Sequence, residues 1–209
     1  MWRAPRPSWR AACGHPDLVA GRIRRQAGAP RESIANRRAQ HAEIDDPEIV
    51  LAAALRFLEA RQRSVAEVRR RLSSAGYRSE LVDGAIDKLV GLGLLDDEAF
   101  TAAWIESRDR ARPRGERALR RELQIRGVDS AIVAESMETR RPKPGSVDDP
   151  DVAAAEALVR RHASALARIA DPRKRRQRAY ALLARNGFDP ETASALAARM
   201  TADQGDASE

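Results

Sequence analysis

The 209-residue chain has one cysteine, Cys13, so it can form no disulfide within itself, and a reducing compartment is the expectation. Its three histidines, His15, His41 and His162, are scattered, with no metal-ligand spacing around them. Aromatic residues make up only 4% of the chain, which suits several small helical cores better than one thick core or a sheet. No apolar run approaches bilayer-spanning length, and no apolar stretch follows the N-terminal arginines, so neither a membrane partner nor a secretory signal is expected. That reading makes the protein cytoplasmic. No stretch alternates with the period of two that marks a strand. There is no nucleophile–base pair, glycine-rich phosphate loop or His-x-x-x-His, so the sequence gives no support for an enzyme. The cluster Asp96-Asp97-Glu98 looks at first like paired carboxylates for acid–base or metal work. It falls where a helix begins, and acidic groups near a helix N-terminus are the plainer account.

What the chain has in quantity is charge. Charged residues form 33% of it, the net charge is +7, and all but three of the 38 basic residues are arginine. This excess hints at a polyanionic partner. Residues 1–47 carry 9 basic and 5 acidic groups, residues 48–138 carry 16 of each, and residues 139–209 carry 13 and 10. Any basic surface in the neutral middle must therefore come from sorting charge between faces.

Residues 1–46, rich in proline, glycine and arginine and without a sustained apolar period, read as an unstructured basic arm. Trp2 and Trp9 within it could stack on a base, though chance placement explains them as well. From there on the chain reads as helical. Asp-Pro pairs at Asp46-Pro47, Asp149-Pro150, Asp171-Pro172 and Asp189-Pro190 are helix starts, and Ser64-x-x-Glu67 is a capping-box pattern.

An internal repeat organises this region. EVRRRLSSAGY (67–77), RALRRELQIRGV (117–128) and RQRAYALLARNGF (176–188) each place a leucine four residues before a glycine and an apolar residue after it: Leu72/Gly76/Tyr77, Leu123/Gly127/Val128 and Leu183/Gly187/Phe188. Glycine turns left-handed at low cost after a helix, and the next residue folds back onto the last turn. With a helix expected before each motif and another after it, the sequence predicts an all-α, elongated tandem array of three-helix, helix-turn-helix-like repeats. The repeats cover 47–95, 96–139 and 149–201, with a Pro/Gly linker at 140–148 and a disordered tail at 202–209. The first two join without a spacer and should pack together, while the third should be freer. With no long heptad pattern, a monomer is expected.

Charge is sorted within each repeat. The middle helices sum to +2 (64–75), +3 (114–126) and +5 (171–186), and the third helices to −2 (79–91), −3 (129–138) and −1 (189–200). If equivalent helices face one side, their arginines form a basic stripe suited to phosphate backbones. The alternative is that these are the solvated faces of amphipathic helices. A DNA-binding protein built on an arginine-rich helix-turn-helix is also open. Against base reading, amides are sparse in the basic helices, with Gln124 and Gln177 the exceptions. A helical scaffold without a nucleic-acid partner is a further possibility.

The chain resembles the RecX family of bacterial recombination regulators, almost continuously from about 51 to 138. The segments that carry the resemblance are ALRFLEARQRSVAEVRRRL, LVGLGLLDDEAFTAAWIESR with Leu95, Asp96, Asp97 and Phe100, and RGERALRRELQIRGV with Gly115, Leu123 and Gly127. The third repeat matches in shape but more loosely. The resemblance implies tandem three-helix units that insert into the groove of the RecA–DNA filament and damp RecA's strand-exchange, ATPase and coprotease activities. It also implies no cofactor and no catalysis, with direct contact to DNA weak or indirect. Carried over by position, the contact candidates are Arg69 and Arg70, with Arg71 beside them, in the first unit and Arg117, Arg120 and Arg121 in the second, where Arg108 and Arg114 flank the helix joint and could also reach the partner. Arg173, Lys174, Arg175 and Arg176 follow in the third.

Overall fold

The computed structural model describes residues 33–141 and 149–202, and the described residues form ten α-helices and no strand. The helices are α1 (Ile34–Ala42), α2 (Pro47–Leu58), α3 (Val65–Ala75), α4 (Ser79–Gly91), α5 (Asp97–Ala111), α6 (Glu116–Arg126), α7 (Ser130–Arg140), α8 (Pro150–Ala167), α9 (Pro172–Arg185) and α10 (Pro190–Ala202). The arm bearing Trp2 and Trp9, most of the linker and the tail from residue 203 lie outside the described residues.

The helix starts follow the local chemistry. Asp46, Asp149 and Asp171 each accept a backbone N–H of the first turn that follows, with Pro at the first helical position. Asp189 does the same for α10 through the N–H groups of Glu191 and Thr192. Ser64 and Glu67 form the full capping box, and Asp96 accepts from Glu98 and Ala99. Gly76, Gly127 and Gly187 all have positive φ. After each of them the apolar residue donates its N–H back to the leucine carbonyl: Tyr77 to Leu72, Val128 to Leu123 and Phe188 to Leu183.

Each three-helix unit has its own apolar centre, as expected from small cores. Val50, Val68, Leu72, Val82, Ile86, Leu89 and Leu95 close the first, and Phe100, Ile105, Leu119, Leu123, Val133 and Met137 the second. The third centres on Ala155, Leu158, Leu183 and Phe188, with a satellite of Leu166, Ala179 and Ala197. Fully burying one such aliphatic or aromatic side chain contributes about 1.5–3 kcal/mol.

Two expectations need correction. Ile34–Ala42 is helical although it falls in the stretch assigned to an unstructured arm. It has no buried residue of its own and is held by neighbours: His41 Nδ1 lies 2.7 Å from the Ala75 carbonyl oxygen, and its ring stacks on Tyr77 at 4.4 Å. Such a helix leaves no apolar period to read. The third unit is not free of the second either. Gly115 N–H donates to Asn186 O at 3.0 Å and Arg117 N–H to Gly187 O at 3.3 Å.

The two joints between units share a design. In the first, the C-terminal end of α6 meets the N-terminal end of α3: Ser64 Oγ donates to Arg126 O at 2.7 Å, and Val65 N–H donates to Asp97 of the next unit at 2.9 Å. In the second, the loop ending α9 meets the start of α6, and Glu116 N–H donates to Asp151 of the next unit at 3.2 Å. The middle helices thus meet end to end, C-terminus to N-terminus, an arrangement in which their dipoles attract.

Candidate nucleic-acid interface

The end-to-end meeting of α9, α6 and α3 puts the three basic helices in succession, but their arginines do different things. Arg69 pairs with Asp83 of α4 while both remain about half exposed. Such an exposed pair contributes about 0–1 kcal/mol, so Arg69 can exchange its carboxylate for a phosphate at little cost. Arg70 instead crosses the first joint and donates to the carbonyls of Ile125 and Arg126 at 3.1 and 3.2 Å. It completes the end of α6. Arg71 is exposed and its guanidinium lies 5.8 Å from the Phe57 ring centre, on a ring that also carries Arg63 at 4.2 Å.

In the second unit, Arg108 belongs to a half-buried cluster around Trp104. Trp104 Nε1 and Arg108 Nε both donate to one Glu122 oxygen, at 2.9 and 2.6 Å. Arg108 and Arg126 lie over the Trp104 ring, 4.3 and 3.5 Å from its centre. Arg114 faces Glu122 at 3.6 Å and also bonds Asn186 across the second joint. Arg120 is held by Glu116 one turn earlier at 2.6 Å. The positions left to solvent are Arg117, whose charge adds to the Thr192 hydrogen bond in holding the Asp189 carboxyl below its usual pKa, and Arg121, which has no ion-pair partner among the described residues. They are four residues apart and so share a face of α6.

In the third unit Arg173, Lys174 and Arg176 are exposed and make no ion pair among the described residues. Arg175 is buried, only 8% exposed, and donates to the carbonyls of Ile169 and Ala170 at 3.0 and 3.5 Å. It ties down the loop between α8 and α9 rather than facing outward. Arg178, exposed and four residues after Lys174, belongs with the outward group although it was counted only as charge in the sequence.

Burial raises the pKa of both joint carboxylates, Asp97 and Asp151, above the ordinary carboxylate value. Burial pushes Asp97 up, assisted by the neighbouring charges of Asp96 and Glu67 and opposed by the Val65 N–H. Arg140 pairs with Asp109 of its own unit, at 2.9 Å, and reaches across the second joint to Asp151. Burial works against its charge, but these two carboxylates outweigh it and hold its pKa above the usual arginine value. Among the described residues no group of His, Cys, Asp or Glu could hold a metal ion, and no helix is long and apolar enough to cross a membrane. The sequence shows Asp97 only as an acidic group at a helix start and gives no sign of the roles of Asp151 and Trp104, yet Asp97 and Asp151 fasten units together and Trp104 fills a cluster. Each depends on a partner 18 or more residues away, beyond any local spacing.

Comparison with known proteins places these units. A family model described as the first three-helix domain of RecX matches residues 51–89, and one described as the second three-helix domain of RecX matches residues 96–137. The Regulatory protein RecX of Mycobacterium ulcerans (strain Agy99) is 33% identical over 142 residues, covering 68% of this chain and 79% of that protein. That of Corynebacterium efficiens is 31% identical over 167 residues, covering 79% of this chain and 76% of that one. In fold, the chain is similar to the crystal structure of RecX from Lactobacillus salivarius, with a TM-score of 0.60 at 20% identity over 75% of this chain and 97% of that one.

Proposed function

The chain belongs to the RecX family, and from that premise we propose that it binds the RecA–DNA filament in the cytoplasm and restrains RecA's recombinase, ATPase and coprotease activities, without catalysing a reaction itself. The observation that carries the reading is the match of both three-helix domains to RecX, together with 33% identity over 142 residues to a regulatory RecX protein. The structure adds a physical means of attachment. Arg117 and Arg121 on α6, with Arg173, Lys174 and Arg176 on α9, present cations that make no ion pair among the described residues, so phosphate contact would not first require breaking one there. Such contacts read backbone rather than sequence and release counterions. A regular filament offers repeated contacts of this kind to successive units.

The test compares affinity for RecA-coated single-stranded DNA in ATP with affinity for the naked strand at equal salt, together with RecA's ATPase rate. Tighter binding to the coated strand and a slowed ATPase are expected. Equal affinity for the two, with RecA's rate unchanged, would overturn the reading in favour of a DNA-binding protein that acts without RecA.

A further inference from the structure

We propose that the third unit carries its own contact for single-stranded DNA, a cleft between α9 and α10 in which a base stacks on Tyr180 while neighbouring phosphates meet Arg173 and Arg176. The cleft has a volume of about 280 Å³ and is lined by Arg173, Arg176, Gln177 and Tyr180 from α9 and by the small residues Ser194 and Ala197 from α10. Positions 173, 176, 177 and 180 are spaced by three and four, so they share one helical face. From Arg173 to Tyr180 that face runs on the order of 10 Å along the axis.

Three observations converge on a nucleic-acid strand. Tyr180 is 37% exposed, an aromatic ring left to solvent in a chain with few aromatics. Counted back seven residues from the turn glycine, its place in the other units is taken by Arg69 and Arg120, both held by carboxylates. Only the third unit puts a flat ring there. The cations beside the ring make no ion pair among the described residues, so the site has uncompensated positive charge. Finally, α9 is 14 residues long against 11 for α3 and α6, and the extra length lies at its N-terminal end, where Arg173 stands. In the first two units that end is covered by the next unit. In α9 that end carries its own cap, Asp171 with Pro172 at the first position, and Arg173 beside it is exposed. A ring that accepts any base, flanked by cations that accept any phosphate, is the chemistry of sequence-tolerant single-strand binding. Duplex DNA, with its bases stacked inside, could use only the cations.

The inference deepens the filament reading by assigning the DNA strand to the third unit, and its test contains no recombinase, so the two can fail separately. Binding of a fluorescently labelled oligothymidine to the full-length protein is measured by anisotropy across a salt series. Tyr180→Ala is expected to weaken binding about 5- to 150-fold, with Tyr180→Phe close to the unchanged protein. Arg173→Ala with Arg176→Ala should reduce the slope of log affinity on log salt by about 1.4. Thermal unfolding of each variant checks the fold. Photocrosslinking of an iodouracil-substituted strand to the unaltered protein reads the site without any variant, and the peptide containing Tyr180 is the expected product. Undetectable binding of the bare strand at low salt, equal affinity for Tyr180→Ala, or crosslinks confined to α3 and α6 would each overturn the proposal.

Discussion

Gly127, at the end of α6, lies against Ala66 near the start of α3 with no room for a side chain between them. A Cβ at Gly127 would come within 2.5 Å of the Ala66 Cβ, and the glycine also has φ +78°. The second joint repeats the relation, because a Cβ at Gly187 would meet Ala118 at 2.4 Å. The turn glycines therefore serve two purposes: a left-handed turn within a unit and close approach between units.

Gly127→Ala separates these two demands. The left-handed conformation costs a non-glycine residue about 1–2 kcal/mol, and the contact with Ala66 adds to that. Urea unfolding is expected to show a loss of about 2 kcal/mol or more. Ala66→Gly on the opposite side should return part of the loss, because it relieves the contact and leaves the turn strained. A coupling energy near zero in that double-mutant cycle would show that the joint yields freely.

Asp97 supports a prediction about pH. Burial raises its pKa, so the native state holds this proton more tightly than the unfolded chain. The stability tied to that proton is fully present below the ordinary carboxylate range and is lost as pH rises through the raised value. Asp97→Asn keeps an oxygen for the Val65 N–H and removes the charge beside Asp96 and Glu67. It should therefore be at least as stable as the unchanged protein at pH 7, with the difference shrinking as pH falls toward 4. Asp97→Ala, which leaves the N–H without its partner, should lose about 1–3 kcal/mol. The check is a set of urea midpoints for the three proteins at both pH values.

The sequence was most legible where one turn of chain decides the outcome. Asp46, Ser64, Asp149 and Asp171 cap the helices they precede, and Gly76, Gly127 and Gly187 end theirs. Those signals are enough to define three units. What escaped was anything that depends on packing between units. Arg70, Arg114 and Arg175 look like Arg117 and Arg173 in a string of letters. They differ only because a carbonyl or carboxylate from another turn or another unit lies within reach of the first three. Charge counting locates a basic helix and cannot tell an outward arginine from one that closes a neighbour's end. The docking of the third unit was hidden for the same reason, since Gly115 and Asn186 meet across 71 residues of sequence.

That distinction can be measured within one helix turn. Arg175→Ala removes the buried donor to Ile169 and Ala170, so it should destabilise the third unit by about 1–3 kcal/mol. Arg173→Ala, on an exposed side chain, should leave the free energy of unfolding within about 0.5 kcal/mol of its starting value. If the two variants unfold alike, the inward and outward assignments are mistaken.

Arg117 and Arg121 give the corresponding test on α6. Both are exposed, they share a face, and Arg121 makes no ion pair among the described residues, so changing both to alanine should leave helicity and unfolding midpoint intact. If the pair meets two phosphates, the salt dependence of binding to RecA-coated single-stranded DNA should flatten by about 1.4 in log–log slope, and inhibition of the ATPase should need more protein. Arg120→Ala should change binding less, because its guanidinium already lies against Glu116 and a phosphate would have to displace that carboxylate. A double variant with unaltered slope and unaltered inhibition would mean that α6 turns this face away from the filament, leaving α9 as the principal cationic surface.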